Sequence, residues 1–282
     1  MPTRTRVTVK PLATACGAEI FGVDLAREED PATFAEIRKA LLDHGVIFFR
    51  DQSITPERHK AVTRRFGEIV VHGTYKSLDG HPEIMPVVKE KADRHNIGDS
   101  WHTDMSFLEE PPLGSILVAR EVPPHGGDTL FASQYLAYET LSPGLRAALD
   151  GMKAVHSDRF LNARIAERNA SRSTQLRDDR QGVITSAVHP VVRTHDETGR
   201  KALYVNYPFT EHFLDMTREE SLPLLTYLYA HASRPEFTCR FRWAPGSIAF
   251  WDNRCCQHYA LNDYSGVRRE MHRITIAGPR PR

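Results

Sequence analysis

The chain has 282 residues, 40% of them hydrophobic and 26% charged, with 37 basic residues against 36 acidic ones for a formal net charge of +1. Such a composition belongs to a globular chain long enough for a sizeable core, not to a disordered one. The near-neutral balance gives no electrostatic footprint for nucleic acid or for an anionic membrane surface, so any anion must be met by a few placed side chains.

The four cysteines are Cys16, Cys239, Cys255 and Cys256. They contain no C-x-x-C pair and no spacing of a disulfide framework, which argues against a structural zinc module or a stapled secreted scaffold. Arg4 and Arg6 precede an apolar stretch that Lys10 and Pro11 interrupt, a poor signal peptide. No segment approaches the length of a membrane span. The expectation is one domain over residues 1–282 in a reducing, cytoplasmic setting, without nucleic-acid or membrane partners.

In chain order, Asp30-Pro31 reads as a cap and first-turn proline, followed by Phe34, Ile37 and Leu41 at helical spacing and a stop at Gly45. Val46–Phe49 is a short apolar run of strand type. A second helix starts at Thr55-Pro56, buries Val62 and Phe66, and stops at Gly67. Strands are expected at Ser115–Val122, Thr129–Ala132, Pro190–Thr194, Leu203–Asn206, Thr238–Trp243, Ser247–Trp251 and Met271–Ala277, with turn signals at Gly126-Gly127 and Pro245-Gly246. Helices are expected at Ser133–Thr140, Ser142–Leu149 and Thr217–Ala232. The last opens on a Thr217/Glu220 capping box and contains Pro223, which implies a kink. Many short strands without regular helix alternation indicate a mixed, β-rich fold, a jelly-roll core with flanking helices. Residues 157–185 are polar and weakly periodic, the character of a lid-like insertion.

The segment Trp101-His102-Thr103-Asp104 holds an H-x-D pair. In extended backbone, residues i and i+2 share a face, so one imidazole and one carboxylate can reach the same ion. His258 is the best distant third ligand. Two histidines and a carboxylate on one face of an ion leave open positions, the arrangement suited to non-haem iron(II) and oxygen. An isolated H-x-D is also what a hydrogen-bonded loop pair looks like. Downstream, strand alternation puts Arg269, Met271 and Arg273 on one side. Buried arginines call for anionic partners, which their planar forks can bind bidentately; on a surface strand they would simply be solvated.

With these residues assembled, the chain resembles the taurine dioxygenase (TauD/TfdA) family of Fe(II)/2-oxoglutarate-dependent dioxygenases, from about Val9 to Gly278. The resemblance is carried by Gly17–Asp24, Phe49–Gln52, Trp101–Asp104, Gly126–Thr129, His189–His195, Trp251–Arg254, Gln257–Tyr259 and Met271–Arg273. It implies a double-stranded β-helix with His102, Asp104 and His258 as iron ligands. Thr129 and Arg269 would hold the distal carboxylate of 2-oxoglutarate, and Arg273 the anionic head of the substrate. His72, Tyr75, Met105 and Phe209 would contact that substrate. Gly98 stands where the taurine enzyme has an asparagine, which removes a polar contact and enlarges the pocket.

The implied reaction consumes O2 and 2-oxoglutarate, releases CO2 and succinate, and hydroxylates a carbon of a small anionic molecule. A sulfonate such as taurine would give an aldehyde and sulfite; an alkyl sulfate or an aryloxyalkanoate of phenoxypropionate type are the alternatives. Two other classes compete: a zinc hydrolase on the same three ligands, and a non-catalytic anion-binding jelly roll. A homo-oligomer, dimer or tetramer, is expected. His125, His189 and His212 read as turn or packing histidines, Cys255 and Cys256 as buried strand residues, and Tyr227 and Tyr229 as helix packing or a subunit contact.

Overall fold

The structure, a computed structural model, describes residues 7–163 and 165–282. The expectation for Arg4 and Arg6 lies outside them. The architecture is mixed and β-rich. An eight-stranded sheet runs in the order Thr8–Pro11, Ala18–Phe21, Val46–Phe49, Ile248–Asp252, Gly114–Glu121, Arg269–Ile276 and Ile69–Val70, with Met85–Lys89 also paired to Arg269–Ile276. A smaller sheet has Thr129–Ser133 between Thr238–Phe241 and Cys256–Ala260.

Helices Pro31–His44 and Pro56–Arg64 cover one face of the large sheet. Phe34, Ile37, Leu41, Val62 and Phe66 pack there on Ile47, Phe49, Ile116, Ile248 and Phe250. The opposite face meets the small sheet through Phe48, Phe131, Phe241, Trp243 and Trp251, and the Phe48 and Phe241 rings stack at 4.0 Å. Continuous apolar strands such as Val46–Phe49 follow from this covering on both faces. A third cluster joins helix Arg218–Ala232 to Leu149, Ala154, Leu203 and Phe213, beside the three-stranded sheet of Thr210–Phe213, Lys153–Ser157 and Ser186–Pro190. All four cysteines are buried and free. Among the described residues no helix is long and apolar enough to cross a membrane.

The expected caps are present. The Asp30 side chain accepts from the Ala32 N–H, Gly45 closes that helix at φ 73°, and Thr217 and Glu220 form the reciprocal box. Several expectations need correction. Helix Pro56–Arg64 ends before Gly67, because its last turn tightens to Arg65 N–H bonding the Val62 carbonyl and Phe66 N–H the Thr63 carbonyl. Residues 190–194 are not one strand: pairing changes between Ser186–Pro190 and Val192–Thr194. The run 203–206 pairs only through Leu203, after which Tyr204 N–H bonds Val191 instead.

Residues 157–185 carry more structure than their polarity suggests, with helices Arg159–Asn162 and Ile165–Ser171 and a 3-10 turn at Asp178–Arg180. The segment is sewn to residues 74–76. Tyr75 pairs with Leu176, Lys76 N–H bonds the Gln175 carbonyl at 3.0 Å, and Arg177 N–H bonds that of Thr74 at 2.8 Å.

Two core histidines make stability depend on pH. Burial, opposed only in part by a bond to the Ile116 carbonyl, pushes His59 down from 6.5 to about 3, and burial does the same to His156. The unfolded chain takes up these protons as pH falls below 6.5, whereas the native state stays neutral to about 3. The two together should therefore remove up to about 3 kcal/mol of stability per pH unit on acidification below pH 6. Urea denaturation midpoints at pH 7.5, 6 and 5 measure this.

Candidate metal centre

His102 and His258 face each other across a two-residue antiparallel bridge: each N–H donates to the other's carbonyl, at 3.1 and 3.0 Å. Residues that exchange both peptide bonds point their side chains to the same side, which sets the imidazole centroids 4.1 Å apart. The Ala260 N–H to the Gly98 carbonyl, at 2.9 Å, continues the zip. Asp104 is two residues beyond His102, as the H-x-D reading requires, at the entry to a turn where Met105 adopts φ 46°.

Ligand atoms of His102, Asp104 and His258 all lie within 4.8 Å of one another. Asp104 Oδ1 is 3.7 Å from His102 Nε2 and 3.9 Å from His258 Nε2. His102 Nδ1 lies 2.7 Å from the Ser100 carbonyl. A carbonyl can only accept, so the ring proton is on Nδ1 and the Nε2 lone pair is free. Asp104 Oδ2 is buried without a hydrogen-bond partner. Burial alone would raise the Asp104 pKa, but Arg273, His258 and His102 hold it well below the ordinary range; burial, with His102 beside it, keeps His258 neutral. Two imidazoles and one carboxylate are a donor set that fits Fe(II).

Gly98 stands close against the His102 ring. It has φ +78°, and a Cβ built there would stand 3.0 Å from His102 Cε1. Arg273 reaches across from the large sheet, donating from Nη1 to Asp104 Oδ1 at 3.0 Å. His72 accepts Thr74 and Tyr75 N–H groups at Nδ1, and burial holds it at about 3, so the neutral ring carries its proton on Nε2. Tyr75 packs edge-on to it at 5.2 Å.

Gly98, His102, Asp104, His72, Tyr75 and Arg273 line one cavity of about 630 Å³. Its outer walls are Met105, Phe107, Phe209, Leu222, Leu225 and Tyr229, with Phe160, Leu161, Arg168 and Arg172 contributed by the 157–185 segment. Thr129 and Arg269 do not line that cavity; they meet at Trp243, whose indole N–H donates to Thr129 Oγ1 at 3.0 Å while the Arg269 guanidinium lies 5.9 Å over its ring.

Arg269 is buried, and among the described residues no carboxylate or other acceptor reaches its guanidinium. Burial pushes its pKa down, with Tyr264 and Asp128 opposing. A buried guanidinium in this condition is set for an incoming anion.

Trp243, Asn253, Arg168 and Arg172 carry no signal in the sequence that singles them out, and Tyr229, expected to pack in its helix or meet a subunit, also faces the cavity. The Tyr229 hydroxyl bonds the Thr210 carbonyl at 3.0 Å. Tyr227 is half exposed and stacks on His231. His189 is a packing histidine bonded to the Leu108 carbonyl at 2.8 Å. A second cluster, His195, Asp252 and Cys255, resembles a ligand set. Its carboxylate is already taken by Arg254, at 2.6 and 2.9 Å, and by His195 at 3.0 Å, so it is a structural knot.

Fold and site together define an α-ketoglutarate-dependent dioxygenase, an oxidoreductase class that works with Fe(II), 2-oxoglutarate and O2. Residues 8–275 match the family described as "Taurine catabolism dioxygenase TauD, TfdA family", and the chain belongs to that family. It is 36% identical over 282 residues to an alpha-ketoglutarate-dependent sulfate ester dioxygenase of Pseudomonas putida, covering 99% of this chain and 92% of that one. Among solved structures it is similar to a taurine dioxygenase from Burkholderia xenovorans, with a TM-score of 0.82, 40% identity and coverage of 98% and 90% of the two chains. It is also similar to AAD-2 in complex with Mn(II) and N-oxalylglycine, with a TM-score of 0.80, 27% identity and coverage of 98% and 99%.

The isolated state of Arg269 yields a direct expectation. Arg269→Ala removes one charge-assisted partner worth about 1.5–3 kcal/mol, so 2-oxoglutarate affinity should fall roughly 10- to 150-fold. Anaerobic titration of the metal-loaded protein measures this, and unchanged affinity would remove Arg269 from the site.

Proposed function

We propose that the protein oxidises the carbon next to the anionic head of a sulfonate or sulfate ester that carries an apolar tail. The observation that carries this reading is the cavity. Arg273, His72 and Tyr75 stand at its metal end, and the remaining space, within a volume of about 630 Å³, has an apolar wall of Met105, Phe107, Phe209, Leu222 and Leu225, with Arg168, Arg172, Glu211, Arg218 and Glu219 also lining it. The metal and 2-oxoglutarate share that volume with the substrate, and the apolar outer walls suit a tail longer than two carbons. Similarity to both a sulfate ester dioxygenase and a taurine dioxygenase supports the head-group chemistry.

In this reading His102, Asp104 and His258 hold Fe(II), which with 2-oxoglutarate and O2 supplies the oxidising power for C–H hydroxylation. Arg269 and Thr129 take the far carboxylate of 2-oxoglutarate. Arg273 and the His72 Nε2–H orient the substrate's sulfo group, with Tyr75 closing the wall beside them. Met105 and Phe209 direct the tail, and the absence of a side chain at Gly98 leaves the His102 ring edge clear. Residues 157–185 act as the lid that excludes water from the reacting centre. Hydroxylation at the carbon bearing the head group gives a product that collapses to an aldehyde plus sulfite or sulfate. The two facing sheets form the double-stranded β-helix of a single TauD-like domain.

Succinate and sulfite or sulfate release should be measured for taurine, alkanesulfonates, alkyl sulfates and aryloxypropionates. Each tail methylene buried is worth about 0.8 kcal/mol, so kcat/KM should rise roughly fourfold per methylene until the cavity is full. A preference for taurine, or no dependence on tail length, would overturn the substrate reading. Asp104→Ala should lose Mn(II) binding altogether; wild-type affinity in that variant would overturn the ligand set.

A further inference from the structure

Asp104 sits where no regular structure can satisfy its backbone. It leads into the turn in which Met105 has a left-handed φ of 46°, and it is only 4% exposed. Buried peptide groups in such a place need partners from elsewhere. One side chain provides them. Asn253 Oδ1 accepts the Asp104 N–H at 2.8 Å, and Asn253 Nδ2 donates to the Asp104 carbonyl at 3.0 Å and to the Pro112 carbonyl at 3.2 Å. The Asn253 amide thus imitates a neighbouring strand for this one residue. Its own N–H bonds the Leu113 carbonyl at 2.8 Å.

Asn253 occupies the turn between strands Ile248–Asp252 and Cys256–Ala260, and the second of these carries His258. The turn is in turn fixed by Arg254, which grips Asp252 and also bonds Asp196 at 2.9 Å and Glu197 at 2.7 Å. Through Asn253, the turn that launches the strand of one ligand also holds the backbone of another.

We propose that Asn253 is a positioning residue for the metal centre: it sets the distance between the Asp104 carboxylate and the two imidazoles, and so tunes metal affinity without touching the metal. This rests on the assignment of His102, Asp104 and His258 as ligands. Arg273 pulls on Asp104 Oδ1, and the Asn253 clamp is what keeps the aspartate backbone from following.

Gln52 is a built-in control. Its amide also makes three backbone bonds, accepting from Leu25 N–H at 2.8 Å and donating to the carbonyls of Val23 at 3.2 Å and Arg50 at 2.8 Å, in the core and away from the metal residues. Mn(II) binding, followed anaerobically by the electron paramagnetic resonance of the free ion without 2-oxoglutarate, should be compared with thermal stability in wild type, Asn253→Ala and Gln52→Ala. Both variants should lower Tm. Only Asn253→Ala should raise the Kd for Mn(II), by about 10- to 100-fold, the cost typical of losing a group that orients a metal ligand; Gln52→Ala should stay within twofold of wild type. Should Asn253→Ala not fold, Asn253→Ser carries the same comparison. Equal effects on Mn(II) in the two variants, or none in either, would overturn the positioning role. Failure of the ligand assignment itself would look different, because Asp104→Ala would then bind Mn(II) as well as wild type.

Discussion

Two peptide hydrogen bonds between His102 and His258 hold the centre together. They join a short stretch outside any named strand to the edge of the small sheet, and they place two imidazoles side by side before any metal contributes. Everything else at the site is referenced to that bridge. Asp104 comes two residues later at the entry to a turn, the Ala260 N–H bonds the Gly98 carbonyl further along, and the indole of Trp251 lies 4.7 Å behind the His258 ring.

The electrostatics divide into a balanced half and an unbalanced one. Arg273 on the large sheet and Asp104 in the turn beyond His102 form an ion pair, and Asp104 remains ionised despite burial chiefly because of that guanidinium, with the two imidazoles beside it. Arg269, four residues earlier on the same side of the same strand, has aromatic neighbours and no such partner. One strand therefore presents a guanidinium that is neutralised within the protein and another that has no anionic partner among the described residues. Desolvating a charge without a partner costs stability, a cost that an anion bound there would relieve.

Much of this was legible in the amino-acid order. The helix caps at Asp30, Thr55 and Thr217, the H-x-D pair and the inward arginines all depend on local periodicity or on residue chemistry, which sequence displays directly. The meeting of His102 with His258 was inferable only from the combination of motifs, since it is a contact across more than 150 positions. Asn253 was visible as a member of Trp251–Arg254, but its side chain acts on a backbone 149 residues away, and nothing local reports that. Residues 157–185 misled by composition. Their helices are short and polar, and their order comes from pairing with residues 74–76, from Thr174 and Ser173 bonding Val88 and Asp93, and from Asp158 joining Asn162, Arg180 and Thr185, none of which local composition displays. Strand ends at 190–194 and 203–206 were likewise decided by which partner strand was available.

The pairing of Tyr75 with Leu176 has a consequence for how this cavity can diversify. The loop bearing His72 and Tyr75 and the segment bearing Phe160, Leu161, Arg168 and Arg172 are two edges of one short ladder, joined by main-chain bonds that do not depend on side-chain identity. Selection can therefore repaint Phe160, Leu161, Arg168 or Arg172 freely while the ladder keeps its two edges aligned. An insertion or deletion between residues 72 and 76 would shift both at once, so chain length there is constrained where chain identity is not.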